Sequence, residues 1–196
     1  MNKGLDVYEN RPDIFSINGY NTPPPIPTWY EQDVFMIRAW TSWGVGIWKE
    51  KWNKIDWSME VYNSMLNKKN NWKELKKNYS SGLIQLKEMS DTGVITGDGF
   101  IVLYLIDNNM YSVYPVKSRV RNTGHDGSGE HCKVNEKYLN QQIYLGTEAA
   151  IFPLDLLPNK KLSTIFLEQY KLSVIRKWKN KIPNSLIKKI KNIIRK

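Results

Sequence analysis

The sequence predicts a mixed α/β or α+β domain with helices gathered at its C-terminal end. Three observations carry this. Short apolar runs bounded by turn residues, such as Asp13 to Ile17 and Tyr111 to Val116, read as strands. Other segments repeat their apolar residues at helical spacing, as at Trp57, Val61, Met65 and Leu66. The chain has 196 residues, enough for one domain with its own core. No internal repeat or heptad array is visible.

In order along the chain, residues 1–32 are irregular apart from Asp13 to Ile17. Asn18-Gly19-Tyr20-Asn21 is a turn signal, and Thr22-Pro23-Pro24-Pro25-Ile26-Pro27 excludes a helix interior. Asp33 to Ala39 is a second strand. Gly46 to Trp52 opens a helix, and Trp57 to Leu66 is another. Lys68 to Lys77 is a charged, solvated stretch, after which Ser81 to Met89 resumes the helical pattern. Phe100 to Ile106 supports two readings. Its β-branched residues suit a buried strand, while Asp98 could cap a helix that ends at Asn108-Asn109. Asn122 to Glu130 is a glycine-rich loop. Glu148 to Leu157 mixes short apolar runs with Pro153. Leu162 to Trp178 is an amphipathic helix, broken before the final segment by Pro183.

The formal net charge of +10 favours anionic partners: a phosphorylated small molecule, a nucleic acid or an acidic membrane. The excess is concentrated at the C-terminus, which points to a surface contact more than to a charged site. Nucleic acid is the weakest of the three. No helix-turn-helix or zinc-finger spacing is present, and the aromatic residues are not interleaved with the basic tail. Cys132 is the only cysteine, so no internal disulfide can form, as suits a reducing cytoplasm. Met1 to Asn10 lacks the apolar run of a signal peptide. Phe100 to Ile106, the longest apolar run, is too short to cross a bilayer. The expected location is the cytoplasm, peripheral to the inner face of the membrane.

Two blocks carry the chemistry. Trp40 to Trp52 packs four tryptophans and two glycines together. Indole faces stack on flat rings and on the apolar faces of sugars, and glycine allows close backbone approach. The second block runs from Pro115 to Cys132. Its glycines could present backbone N–H groups to an anion, but it lacks the spacing of a nucleotide P-loop, and a structural turn is the plain alternative. Lys117, Arg119 and Arg121 alternate and would share one face of a strand.

The run Ser42, Trp43, Gly44, Trp48, Lys49, Trp52 and Asp56, then Asp98, then Tyr114, Pro115, Ser118, Asn122, Gly124, Asp126, Gly127, Ser128, Gly129, His131 and Cys132 resembles a group of bacterial family 2 glycosyltransferases. These are sugar transferases of surface polysaccharide synthesis with a GT-A fold. The likeness spans about residues 5–135, and Phe15 to Asn21 is similar to the family's strand-turn before the tryptophan motif. Val45, Phe100 and Glu130 depart from it, standing where an aromatic residue, a tryptophan and a small residue are usual.

The resemblance implies a partial GT-A-like domain: the acceptor-side half, without the nucleotide-binding half and its acidic metal-binding cluster. Residues 1–135 would form that half, 136–180 a helical extension and 181–196 a basic amphipathic helix. Asp98 is implied as the base of an inverting transfer, taking the acceptor hydroxyl's proton. Its plain alternative is a turn or cap aspartate between glycines. Trp43, Gly44, Trp48 and Lys49 would shape the acceptor site, whereas Trp52 and Trp57 are read as core. Asn122, Gly124, Gly127 and Ser128 would hold the donor diphosphate, and His131 would complete a divalent metal site, magnesium or manganese. The implied partners are a nucleotide-sugar donor, a glycan or lipid-linked acceptor and a separate donor-binding half. Alone, the chain would have little transferase activity. A non-catalytic glycan-binding or membrane module is the competing reading. For 181–196, an anionic membrane surface competes with simple docking of its isoleucine face on the domain.

Overall fold

The computed structural model describes residues 1–22, 26–128 and 134–171. Its elements are α1 (Asn2–Tyr8), β1 (Ile14–Asn18), β2 (Val34–Ile37), β3 (Val45–Ile47), α2 (Lys49–Trp52), α3 (Met59–Asn67), α4 (Lys69–Asn78), α5 (Leu83–Thr92), α6 (Gly97–Asp107), β4 (Tyr111–Pro115), α7 (Glu136–Leu139) and α8 (Lys160–Leu167). The class is mixed α/β. The strands form one sheet in the order β2-β4-β1-β3. β1 and β4 run parallel, and the two outer strands pair antiparallel to them.

Strand alternation sends side chains to two faces. Phe15, Phe35, Ile37 and Tyr114 point into the larger core, with Tyr62, Leu75, Leu86, Phe100 and Phe166 from the helices. Ile14, Ile17, Val34, Met36 and Val113 point into a second, smaller core with Tyr8, Ala150 and Leu156. A register shift between Ile14 and Ser16 lets Ile14 and Ile17 share a face although they are three residues apart. Arg11 ties down the second face. It pairs with Asp13 at 2.8 Å and donates to the Leu154 and Leu156 carbonyls.

The helical layer differs from the expectation. Most of it, α3 to α6, lies between β3 and β4, because a parallel β1–β4 pair needs a long crossover. The stretch Lys68 to Lys77 is not simply solvated. It forms α4 and turns Asn71 and Leu75 inward, with Asn71 Nδ2 donating to the Met65 carbonyl and to Asp107. The helix expected from Gly46 shrinks to α2, since Val45–Ile47 pairs with β1 instead.

Phe100 to Ile106 is helix. Residues on all sides of α6 are buried, among them Phe100, Ile101, Leu103 and Leu105. A helix enclosed all round shows no amphipathic period. Its N-cap is Thr96, so Asp98 is a first-turn residue rather than the cap, where a carboxylate is favoured by the helix dipole. No single helix among the described residues is long and apolar enough to cross a membrane. α5 and α6 together pass by length and composition only, and they meet at 107°.

Candidate functional site

The first turn of α6 places Asp98 beside Trp40, which follows β2. Trp40 Nε1 donates to Asp98 Oδ1 at 2.9 Å. The indole is nearly buried and is backed by Phe15, ring centroids 5.9 Å apart. Both residues line a cavity of about 250 Å³ walled by Leu75, Tyr79, Leu86, Val102 and Tyr170. Asp98 keeps one side open to solvent. Burial of the cavity side raises its pKa above the ordinary aspartate value, and the Trp40 hydrogen bond opposes that rise.

The cavity wall has two further features. Tyr79 is buried, and its hydroxyl, enclosed away from the open space of the cavity, has no hydrogen-bond partner among the described residues. Burial drives its pKa well up, so it is a neutral hydroxyl able to donate or accept. Such a group costs stability unless something pairs with it. The far wall is pinned by Ser81, whose backbone N–H and hydroxyl both donate to the Tyr170 carbonyl, at 3.0 and 2.5 Å. Burial pushes the Tyr170 hydroxyl up to about 12, and the Asp98 charge adds to this.

The implied acceptor residues do not gather here. Trp48 packs with the second-face core, across the sheet from Asp98's cavity, and the Lys51 ammonium covers its ring at 3.8 Å. That ammonium also donates to the Arg11 and Ile14 carbonyls, and burial lowers its pKa to about 8. Lys49 is exposed at the start of α2. Trp43 sits edge-on to Tyr20 at 4.9 Å and to His125 at 5.9 Å. Gly44 has φ +62°, and a Cβ there would meet Val120 Cγ2 at 2.8 Å, so this turn needs glycine. Its carbonyl accepts from the Gly19 N–H at 2.7 Å.

Trp43 and Gly44 instead adjoin the loop implied for the diphosphate. That loop holds a short 3₁₀ turn, Thr123–Asp126. His125 is buried and stacks on Tyr138 at 4.3 Å, with neither ring nitrogen hydrogen-bonded. Asn122 Oδ1 accepts from the Gly124 N–H at 3.0 Å. Asp126 Oδ1 accepts from the Ser128 N–H and hydroxyl, at 2.8 and 2.6 Å, and Gly127 turns the chain at φ +100°. Those two N–H groups thus already have acceptors within the loop. Lys117, Arg119 and Arg121 do not share a strand face, because β4 ends at Pro115. Arg119 instead lies over the Tyr144 ring at 4.1 Å.

His131, Gly129, Cys132 and the segment 181–196 lie outside the described residues. Among those described, no three His, Cys, Asp or Glu side chains come together as a metal site.

Two tryptophans correct the sequence reading. Trp52 and Trp57, expected in the core, are 39% and 37% exposed. Trp40, which the sequence did not single out as a site residue, is the indole that touches Asp98. Its signal was its place at the head of the tryptophan run.

No family model, curated protein or solved structure matches the chain. The cavity combines an oriented carboxylate with apolar and aromatic walls. Its volume lies just below the roughly 300–1,000 Å³ of drug-sized ligand sites, which suits a single ring.

Proposed function

We propose that the chain is the acceptor-side portion of a glycosyltransferase and that Asp98 is its base. The Trp40–Asp98 contact carries this reading. It orients one carboxylate oxygen at the edge of the cavity. A sugar ring entering the cavity would bring a hydroxyl to the second Asp98 oxygen. As that hydroxyl oxygen bonds to the donor's anomeric carbon, its proton passes to Asp98. The anomeric carbon–phosphate oxygen bond breaks, and its electron pair leaves with the nucleoside diphosphate. The raised Asp98 pKa makes the carboxylate a stronger base than an ordinary aspartate.

The donor nucleotide-sugar, its divalent metal and the residues that grip them belong to a partner half in this reading. The location that goes with it is the inner face of the cytoplasmic membrane, beside a lipid-linked acceptor. The chain alone then binds acceptor sugars and transfers nothing. The test is NMR of the Trp40 indole N–H during titration with methyl glycosides of glucose, galactose and N-acetylglucosamine. A saturable shift with at least one supports the reading. No shift with any of them overturns it, and tight binding of a nucleotide-sugar to the chain alone refutes the division of labour.

A further inference from the structure

Trp52 and Trp57 form an exposed aromatic pair that the cavity does not use. Their ring centroids are 5.3 Å apart at 54°. Trp57 stacks on Phe100 at 4.9 Å and 27°, and Phe100 stacks on Tyr62 at 6.4 Å and 25°. Phe100 and Tyr62 are fully buried. The surface indole is thus the outermost ring of a slab rooted in the core, so its orientation is set before any ligand arrives. Such preorganisation lowers the cost of binding.

The other exposed indoles differ. Trp29 and Trp72 are also near 40% exposed, but each has a lysine ammonium over its ring, Lys161 at 4.7 Å and Lys76 at 4.9 Å. Among the described residues no cation covers Trp52 or Trp57. Asn53, Lys54, Asp56 and Glu60 beside them are exposed and polar. Open indole faces with a polar rim match the two sides of a sugar, apolar C–H face and hydroxyl edge. A protein partner would favour a contiguous apolar patch instead.

The pair is also joined to Asp98. Phe100 lies two residues beyond it on α6, about 200° around the helix. Platform and carboxylate therefore flank the same first turn from opposite sides. Between them lie Thr96 and Gly97, both exposed, and a Cβ at Gly97 would meet nothing within 4 Å. The crossing is low and open.

We propose that Trp52 and Trp57 form a second glycan subsite, and that an oligosaccharide runs from it across Gly97 to the cavity at Asp98. The subsite deepens the acceptor reading above and rests on it for the second half of that path. The substrate class it selects is a glycan chain rather than a free monosaccharide.

The experiment titrates the full chain with cellohexaose, maltohexaose and chitohexaose, and with the methyl glycoside of each repeating sugar. Indole N–H resonances are read separately for Trp40, Trp52 and Trp57. At least one hexasaccharide is expected to bind at least tenfold more tightly than its monosaccharide and to shift all three indoles. Trp52→Ala, chosen because it leaves the Trp57–Phe100 stack intact, and Trp57→Ala each cut hexasaccharide affinity about tenfold. Gly97→Leu removes the length advantage and leaves monosaccharide binding at Trp40 unchanged. Equal affinity for long and short ligands, or hexasaccharide binding indifferent to both tryptophan substitutions, overturns the subsite. So does self-association of the wild-type chain in sedimentation velocity that Trp52→Ala abolishes, which would make the pair a protein interface. Shifts at Trp52 and Trp57 without Trp40 keep the platform and remove the cavity reading. Shifts at Trp40 alone do the reverse, and no shift at any indole ends both.

Discussion

The Trp40 indole and the Asp98 carboxylate meet at 2.9 Å although 58 residues separate them in the chain. The contact joins the segment after β2 to the first turn of α6, so the carboxylate is aimed by the sheet rather than by its own helix. Removing the donor while keeping an aromatic ring separates aim from packing. In Trp40→Phe the hydrogen bond that lowers the Asp98 pKa is gone and burial remains. The Asp98 pKa is expected to rise further, read from the carboxyl carbon shift in an NMR titration. An unchanged pKa would show that the contact does not hold in solution.

Asp98 also imposes a pH dependence on stability. Its folded pKa is raised above the unfolded value of about 3.9. Between those two values the folded chain holds a proton that the unfolded chain has released, so stability falls as pH rises through that window. Asp98→Asn removes this loss. Its Tm relative to wild type should therefore be higher at about pH 7 than at about pH 3. A Tm difference that stays constant, or moves the other way, contradicts the raised pKa.

Tyr79 carries a stability cost. Its hydroxyl is buried without a partner. Tyr79→Phe deletes the unpaired group and is expected to stabilise the unliganded chain by about 1 kcal/mol. That corresponds to a Tm higher by roughly 2–4 °C for a chain of this size. A lower Tm would mean that the hydroxyl is paired in solution without ligand.

Gly44 tests the turn inside the tryptophan run. An alanine there faces both the left-handed backbone and the Val120 side chain. Gly44→Ala should cost roughly 1–3 kcal/mol, measured by urea unfolding. It should also shift the Trp43 indole resonance, because Trp43 precedes this turn and packs on Tyr20.

Much of the fold was legible. β1, β2 and β4 announce themselves by compact apolar runs, and α3 and α5 by helical spacing. α4 was hidden because lysine and asparagine dominate it, and its inward face shows only Asn71 and Leu75. β3 was hidden because a three-residue strand with a glycine exists only through its pairing with β1, a non-local fact. α6 was ambiguous because its β-branched residues suit a strand until the surrounding helices decide otherwise.

The candidate site was half legible. Asp98 stood out between its glycines, but spacing along the chain could not show which tryptophan would reach it. Indole burial was misjudged at Trp52 and Trp57. Trp40 is enclosed by the first core, whereas Trp52 and Trp57 lie open. A tryptophan's apolar body favours burial on average, and its position in a short helix or turn carries no signal for the exception.

The central strand pair carries a cost during synthesis. Ser16 and Ser112 bond hydroxyl to hydroxyl at 2.8 Å across 96 positions. Until β4 emerges from the ribosome, β1 has an unpaired edge and β2 has no neighbour. At elongation speeds of about 5–20 residues per second, that gap lasts several seconds. Apolar strands left waiting so long are prone to aggregate, so soluble yield should depend on translation rate and chaperone supply more than the stability of the finished domain would suggest.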